Sequence, residues 1–462
     1  MPPSCPPLTW EQAARRRVAI WGWGIEGQVA WKRLTALGAS PVVVDDSFAG
    51  DSSVDVLPFG EKGWDALQAA EVVIKSPGVS RYRSEVRQLE SAGVAVVGGF
   101  GLWMEEVDRS RVLLVTGTKG KSTTVSVLGH LMAGLRQRAF IGGNLGVPPY
   151  SPDAPGAGDL DWWVVETSSY QATDCWSAPP VLAVTSLHPD HLDWHGTEER
   201  YYADKLSICR LPGASLTIAN GSDSTVRDHA SLLGPEIQWV SAGEAAAGGS
   251  FGGSSGGSSG GSSAPAWVRR LGLVGDHNVT NALIARACLV AMGVPGADDD
   301  EAMAAAAEGF SGLPSRLNPV GTVGGVEFID DSLSTNVLPT IAALDAYAGR
   351  RVALIAGGFD RGIDYSELAS YLRRRKAETL VLAVPEAGHR IVAAIKAGGS
   401  LPSHLQVQEI GDEAEAPVLG YDWARPDGVV LLSPAAPSYG RFVDYRERSA
   451  SFVAGMSRCH DL

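Results

Sequence analysis

The 462-residue chain is short of cysteine, of positive charge and of long apolar runs. Its five cysteines (Cys5, Cys175, Cys209, Cys288, Cys459) are odd in number and lack CxxC spacing. That excludes a disulfide framework and a zinc ribbon and points to a reducing cytoplasm. No uninterrupted apolar stretch reaches the ~18 residues of a membrane span, and the opening "MPPSCPPLTWEQAARRR" has no apolar core of a signal peptide. The expectation is a cytoplasmic, monomeric protein, neither exported nor membrane-spanning. Lys and Arg total 38 against 52 Asp and Glu, a formal net charge of −14. An overall acidic field excludes a general nucleic-acid or anionic-membrane binder, so any phosphate must meet local basic groups.

What is present suits a globular α/β protein. A hydrophobic content of 45% is enough for real cores, and the length predicts about three domains. The first block, residues 1–105, opens with a strand, then Gly22-x-Gly24-x-x-Gly27, a helix and a second strand ending at Asp45. This is a Rossmann-like start with an acid at the distance of a ribose-binding carboxylate. Glu26 inside the loop would repel a pyrophosphate and counts against a plain NAD site. "EVVIKSPGVS" (71–80) predicts another strand, ending in a Ser-Pro-Gly turn. The second block, 106–312, is interrupted by "GGSFGGSSGGSSGGSSAPAW" (248–267), whose Gly/Ser part (248–263) predicts a flexible surface loop. In the third block, 313–462, strand runs at 351–358, 379–384 and 428–438 predict a second Rossmann-like, doubly wound unit.

The second block opens on "VTGTKGKSTT" (115–124), a phosphate loop shorter than usual. A standard P-loop has glycine six residues before its lysine, and here that position is Val115. The physics survives the shortening. "RVLLV" (111–115) reads as a buried strand and "STTVSVLGHLMAGL" (122–135) as a helix. Gly117 and Gly120 let backbone N–H groups face an anion at the helix N-terminus, Lys121 supplies charge for the β/γ-phosphates, and Ser122 supplies a hydroxyl for Mg²⁺. The bland alternative is a glycine-rich turn with a surface lysine, but strand, glycines, Lys-Ser and helix in one frame favour nucleotide binding.

Downstream, "WWVVETSSYQ" (162–171) predicts a strand ending near Glu166, where a nucleotide-bound Mg²⁺ needs an oxygen. "VLAVTSLHPDHLDWHG" (181–196) runs from a strand into a loop holding His188, His191 and His195. Zinc is disfavoured because Pro189 denies these histidines one helical face; one of them as a helper ligand to Mg²⁺ fits better. "GDHNVTNALIA" (275–285) leads into a helix.

Taken in order, "GTKGKSTT", "GGNLG" (142–146), "ETSS", "HPDHLDWHG", "ADKL", "GDHNVTNALIA", "GLPSR", "DDSLSTN" (330–336) and "LSPAAPSYGRF" (432–442) resemble the Mur ligases across nearly the whole chain. Among them the pattern is similar to the MurD type, which joins glutamate to UDP-N-acetylmuramoyl-L-alanine at the expense of ATP. That family's ATP loop has the short form seen here.

The resemblance implies three domains: Rossmann-like and UDP-binding, central P-loop-type and ATP-binding, and C-terminal Rossmann-like. It implies that Gly24, Asp45, Ser76, Asn144 and Ser168 meet the UDP-substrate. It places ATP against Gly117, Thr118, Gly120, Lys121, Ser122 and Thr123, with Asn278, Asn281, Arg316 and Asp331 on the adenine, ribose and phosphate side. Two Mg²⁺ would be held by Ser122, Glu166, His191 and Lys205, the last as a carbamate, and Lys121, Glu166, His191 and Lys205 would carry the chemistry. Thr335, Arg361, Ser438 and Tyr445 fall where glutamate is held.

The residue types suit that chemistry. A carboxylate must be phosphorylated before an amine can displace its oxygen, and the approaching anions need cations between them. A lysine ammonium would repel Mg²⁺, whereas its carbamate offers oxygens. Three positions depart from the MurD pattern: Leu333 replaces a lysine, Arg361 another lysine and Tyr445 a phenylalanine. All lie in the amino-acid site, so the glutamate isomer, D or L, stays open. Three alternatives are weighed. A folylpolyglutamate synthase would leave the N-terminal domain superfluous, an NAD(P)-dependent oxidoreductase would leave the phosphate loop unexplained, and an ATP-switched binding module without synthesis would leave the His191 and Lys205 motifs idle.

Overall fold

The computed structural model describes residues 3–46, 54–143, 147–242, 264–273, 275–310, 312, 315–360, 362–438 and 440–459. The Gly/Ser run expected to be a surface loop lies outside the described residues, as do Asn144 and Arg361. The chain divides into two compact units, one of residues 1–271 and 276–310, the other of 272–275 and 311–462. Among the described residues no helix is long and apolar enough to cross a membrane.

The first unit holds two parallel sheets. The N-terminal sheet comprises β1 (Val18–Trp21), β2 (Val42–Asp45), β3 (Val56–Pro58), β4 (Val72–Lys75) and β5 (Ala95–Gly98), in the order β3-β2-β1-β4-β5. In β1, β4 and β5 the runs of valine, isoleucine and alanine are buried on both faces, as parallel strands between helices require, while β2 and the edge strand β3 are partly open. The order reverses at β1, and there the glycine turn leads into helix Ile25–Ala36. A Cβ on Gly27 would lie 1.9 Å from the Gly22 carbonyl oxygen, so only glycine lets the helix start this close to the turn.

The central sheet comprises β6 (Val112–Thr116), β7 (Ala139–Gly143), β8 (Trp162–Glu166), β9 (Val181–Val184), β10 (Leu216–Asn220) and β11 (Glu236–Val240), in the order β11-β10-β9-β6-β8-β7. All its pairings are parallel, with Val115 opposite Glu166 and Thr116 opposite Val184. The C-terminal ends of β6, β8 and β9 thus meet at the switch point β6, the usual ligand crevice of such sheets. A core containing Trp10, Phe100, Trp103, Tyr150 and Trp163 runs between the two sheets.

The second unit has one mixed sheet of β12 (Asn318–Val323), β13 (Val326–Asp330), β14 (Val352–Gly357), β15 (Thr379–Val384), β16 (Leu405–Glu409) and β17 (Val429–Leu432), ordered β12-β13-β17-β14-β15-β16. Only the edge pair β12/β13 is antiparallel. The expected α/β class is therefore what the chain adopts.

Candidate functional site

The phosphate loop runs from Thr116 at the end of β6 to helix Lys121–Gly134. Gly117 (φ +138°) and Gly120 (φ +85°) are left-handed, and each is closely faced. A Cβ on Gly117 would lie 2.2 Å from Thr185 Oγ1, and one on Gly120 2.7 Å from Asn281 Oδ1. The Lys121 ammonium donates to the carbonyls of Gly117 (2.9 Å) and Thr118 (3.1 Å). The Thr118 hydroxyl donates to the His188 carbonyl at 3.0 Å and shares a 2.9 Å bond with the Tyr201 hydroxyl. Thr123, on the first helical turn, is half-buried.

Around the loop the tertiary structure gathers residues distant in sequence. Ser122 donates to Glu166 Oε2 at 2.6 Å, and both are buried. A hydroxyl and a carboxylate at a phosphate loop are hard-oxygen donors of the kind Mg²⁺ prefers, so this pair fits the expected ion. Lys205, on helix Glu198–Leu206, is buried and donates to the Gly117 carbonyl at 3.0 Å. Burial first and the neighbouring Lys121 charge second hold its amine well below the usual lysine range. Asn281 faces Gly120 from helix Asp276–Ala291 and donates to Asn278 at 3.3 Å.

The three histidines take three directions. The His188 side chain lies 3.8 Å from Asp223, His191 caps the short helix Leu192–His195 in a left-handed conformation, and His195 is buried between Ser169 and Asp204. Among the described residues no group of three or more His, Cys, Asp or Glu side chains is drawn together as a metal cage.

At the switch point of the N-terminal sheet, Asp45 accepts from the Trp23 N–H at 2.6 Å and Ser76 donates to the Gly22 carbonyl at 2.9 Å. Gly24 precedes the helix and is exposed. Glu26, expected to repel a pyrophosphate, turns instead to the Tyr150 hydroxyl (2.5 Å) and the Gln171 amide (2.8 Å). Burial raises its pKa, which weakens that objection. Ser168 caps helix Ser169–Ala172, its hydroxyl accepting from the Gln171 N–H at 3.2 Å.

In the second unit Arg316 precedes β12 and Asp331 follows β13. Asp331 is buried and accepts from Leu317 N–H, Ser334 and Ser433 at 3.1, 2.5 and 2.7 Å. Burial pushes its pKa up to about 6. Thr335 and Ser438 follow the paired strands β13 and β17, and Tyr445 begins helix Tyr445–Arg458.

Two buried constellations escape sequence reasoning. In one, Lys75 and Arg81 both donate to Asp174, Lys75 at 2.7 Å and Arg81 at 2.5 Å. In the other, His195 bridges Ser169 and Asp204 at 2.9 and 2.7 Å. Neither has a local signal, since the first joins residues over ninety positions apart; only the His195 motif itself stood out.

A short left-handed glycine loop at a switch point, backed by lysine, hydroxyl and carboxylate, defines a phosphate-binding α/β protein. Residues 115–289 match the Mur ligase middle domain and 315–436 the Mur ligase glutamate ligase domain. A UDP-N-acetylmuramoyl-L-alanine–L-glutamate ligase of a Micromonospora species is 40% identical over 95% of this chain and 96% of its own length. A protein of the same name from Xanthomonas euvesicatoria pv. vesicatoria is 34% identical over 96% of this chain and 95% of its own. The solved structure of MurF from Acinetobacter baumannii shares the fold, with a TM-score of 0.56 at 16% identity over 97% of this chain and 99% of its own. The chain belongs to the Mur ligase family.

Proposed function

We propose that this protein is an ADP-forming ligase that joins L-glutamate to UDP-N-acetylmuramoyl-L-alanine in peptidoglycan precursor synthesis, acting as a cytoplasmic monomer. The observation that carries the reading is likeness, end to end, to ligases named for L-glutamate. It also favours this reading over a folylpolyglutamate synthase or an oxidoreductase. The departures at Leu333, Arg361 and Tyr445 lean the same way, away from the D-glutamate pattern.

In this reading the division of labour is 1–105 for the UDP-substrate, 106–312 for ATP and 313–462 for the amino acid. Gly24, Asp45, Ser76, Asn144 and Ser168 bind the UDP-substrate. The loop Gly117–Thr123 cradles the ATP phosphates, with Asn278, Asn281, Arg316 and Asp331 on the nucleoside side. Thr335, Arg361, Ser438 and Tyr445 hold glutamate. The alanyl carboxylate attacks the γ-phosphorus and ADP leaves; the glutamate amine then attacks the acyl carbon, phosphate leaves and the amine loses a proton. Lys121 offsets the charge of the meeting anions, and backbone N–H groups of the loop orient the phosphates. Ser122, Glu166, His191 and the Lys205 carbamate would hold two Mg²⁺, which neutralise phosphate charge when bound. The depressed basicity of Lys205 supports the carbamate, because only a neutral amine adds to CO₂.

The test is turnover with ATP, Mg²⁺, UDP-N-acetylmuramoyl-L-alanine and either L- or D-glutamate. Phosphate and a new UDP-dipeptide are expected with the L isomer. A pocket that pairs both carboxylates leaves one badly matched in the other isomer, so discrimination should be large. Product with D-glutamate alone overturns the isomer, and product with neither overturns the glutamate assignment.

A further inference from the structure

The Ser169–His195–Asp204 chain is buried, all three residues being at most 4% exposed. Buried polar groups cost more than apolar ones unless satisfied, and here every ring position is. An ionised Asp204 can only accept, so His195 donates from Nδ1 at 2.7 Å. In the neutral ring Nε2 is then the acceptor, and the Ser169 hydroxyl donates to it at 2.9 Å. The second Asp204 oxygen accepts from the Tyr82 hydroxyl at 2.6 Å.

The ends of this chain fall on the candidate site. Ser169 opens the helix that follows Glu166, Thr167 and Ser168, and Asp204 precedes Lys205 on its helix. The neighbouring Trp194 is clasped by the Ser-Pro-Gly turn, its indole N–H donating to the Pro77 carbonyl and its own carbonyl accepting from Ser80, each at 3.1 Å. A hydrophobic residue at 195 would fill the volume but would fix neither partner's direction.

We propose that His195 is a positioning residue of the phosphoryl-transfer site. Its ring ties the segment bearing Glu166 to the helix bearing Lys205, and through Trp194 and Tyr82 it ties both to the turn that follows Ser76. The inference rests on the proposed function for its catalytic meaning, though the coupling itself is a property of the free protein.

The test compares the full chain with His195→Asn, which keeps a donor toward Asp204 but cannot reach Ser169, and Ser169→Ala, the gentler change. Loss of a partner behind a reacting group typically costs 10–100-fold. A fall in kcat of about that size, expressed per mole of folded enzyme as counted by bound ATP analogue, is expected in His195→Asn, with KM for ATP and UDP-substrate within about threefold; normalising to folded sites separates it from simple loss of protein. The double variant should be no worse than His195→Asn, because the residues act as a unit. Hydrogen exchange on the substrate-free protein should speed up in both segments 167–172 and 198–206 for either variant. Wild-type kcat in His195→Asn, losses that multiply, or exchange changes confined to the substituted segment would overturn the inference. A wild-type protein that makes no product with L-glutamate would overturn the proposed substrate instead, and hydrogen exchange then decides the coupling alone.

Discussion

Lys205 Nζ lies 3.0 Å from the carbonyl oxygen of Gly117, joining the Lys205 helix to the phosphate loop 88 residues before it. Burial and the Lys121 charge depress the basicity of this amine, which suits the carbamate proposed for it. Lys205→Ala is expected to be nearly inactive, and a small carboxylate such as acetate should restore part of the turnover by supplying oxygens. Full activity in the variant would make the lysine structural only. Carbon-13 NMR of protein equilibrated with labelled CO₂ should show a carbamate signal that the variant lacks.

Gly120 tests the loop. Alanine there is strained by φ +85°, and its Cβ would meet Asn281 Oδ1 at 2.7 Å and Thr185 Cβ at 3.2 Å. Gly120→Ala is expected to weaken binding of an ATP analogue at least about tenfold by calorimetry, the equivalent of ~1.4 kcal/mol. Gly60→Ala is the control, since nothing lies within 4 Å of the added Cβ and the backbone is extended. Equal affinity in the two variants would refute the argument.

Asp174 holds two cations, Lys75 and Arg81, in a buried cluster. Burial works against its ionisation, but the two cations outweigh it and hold the carboxyl below the usual range. Asp174→Asn removes the charge that faces both cations, leaving Arg81 with Glu90 at 3.2 Å, and is expected to cost about 3–5 kcal/mol. Because the folded pKa is depressed, the wild-type contribution is present above the unfolded value near 3.9 and is lost as pH falls through the folded value. Thermal midpoints of variant and wild type should therefore differ most at neutral pH and converge in acid.

Asp331 should behave in the opposite sense. With a folded pKa raised to about 6, its protonated form contributes stability that is fully present below about 3.9 and is lost as pH rises through about 6. Asp331→Asn cannot ionise. Between pH 4 and 7 the wild type is expected to lose about 2 kcal/mol relative to this variant, read from urea midpoints of the two proteins in the same buffers. A constant difference across that range would mean Asp331 is ionised throughout.

Much of this protein is legible in one dimension. Short runs such as Val112–Thr116 and Val352–Gly357 are apolar because parallel strands are covered on both faces, so the strands can be read from composition. The glycine spacing of the two turns is equally local, because left-handed backbone and close approach to a neighbour are demands on single residues. That is why the α/β class, the phosphate loop and the positions of Lys121, Ser122 and Glu166 follow from sequence. What the residues do to one another does not. Glu26 looked like an obstacle to an anion until Tyr150 and Gln171 closed over it. His195 looked like one of three candidate metal ligands until Ser169 and Asp204 took both its nitrogens. Lys205 was singled out by the resemblance alone, and only the fold shows its amine buried and its basicity depressed. Hydrogen bonds and desolvation are set by which side chains arrive together, and only the tertiary structure decides that.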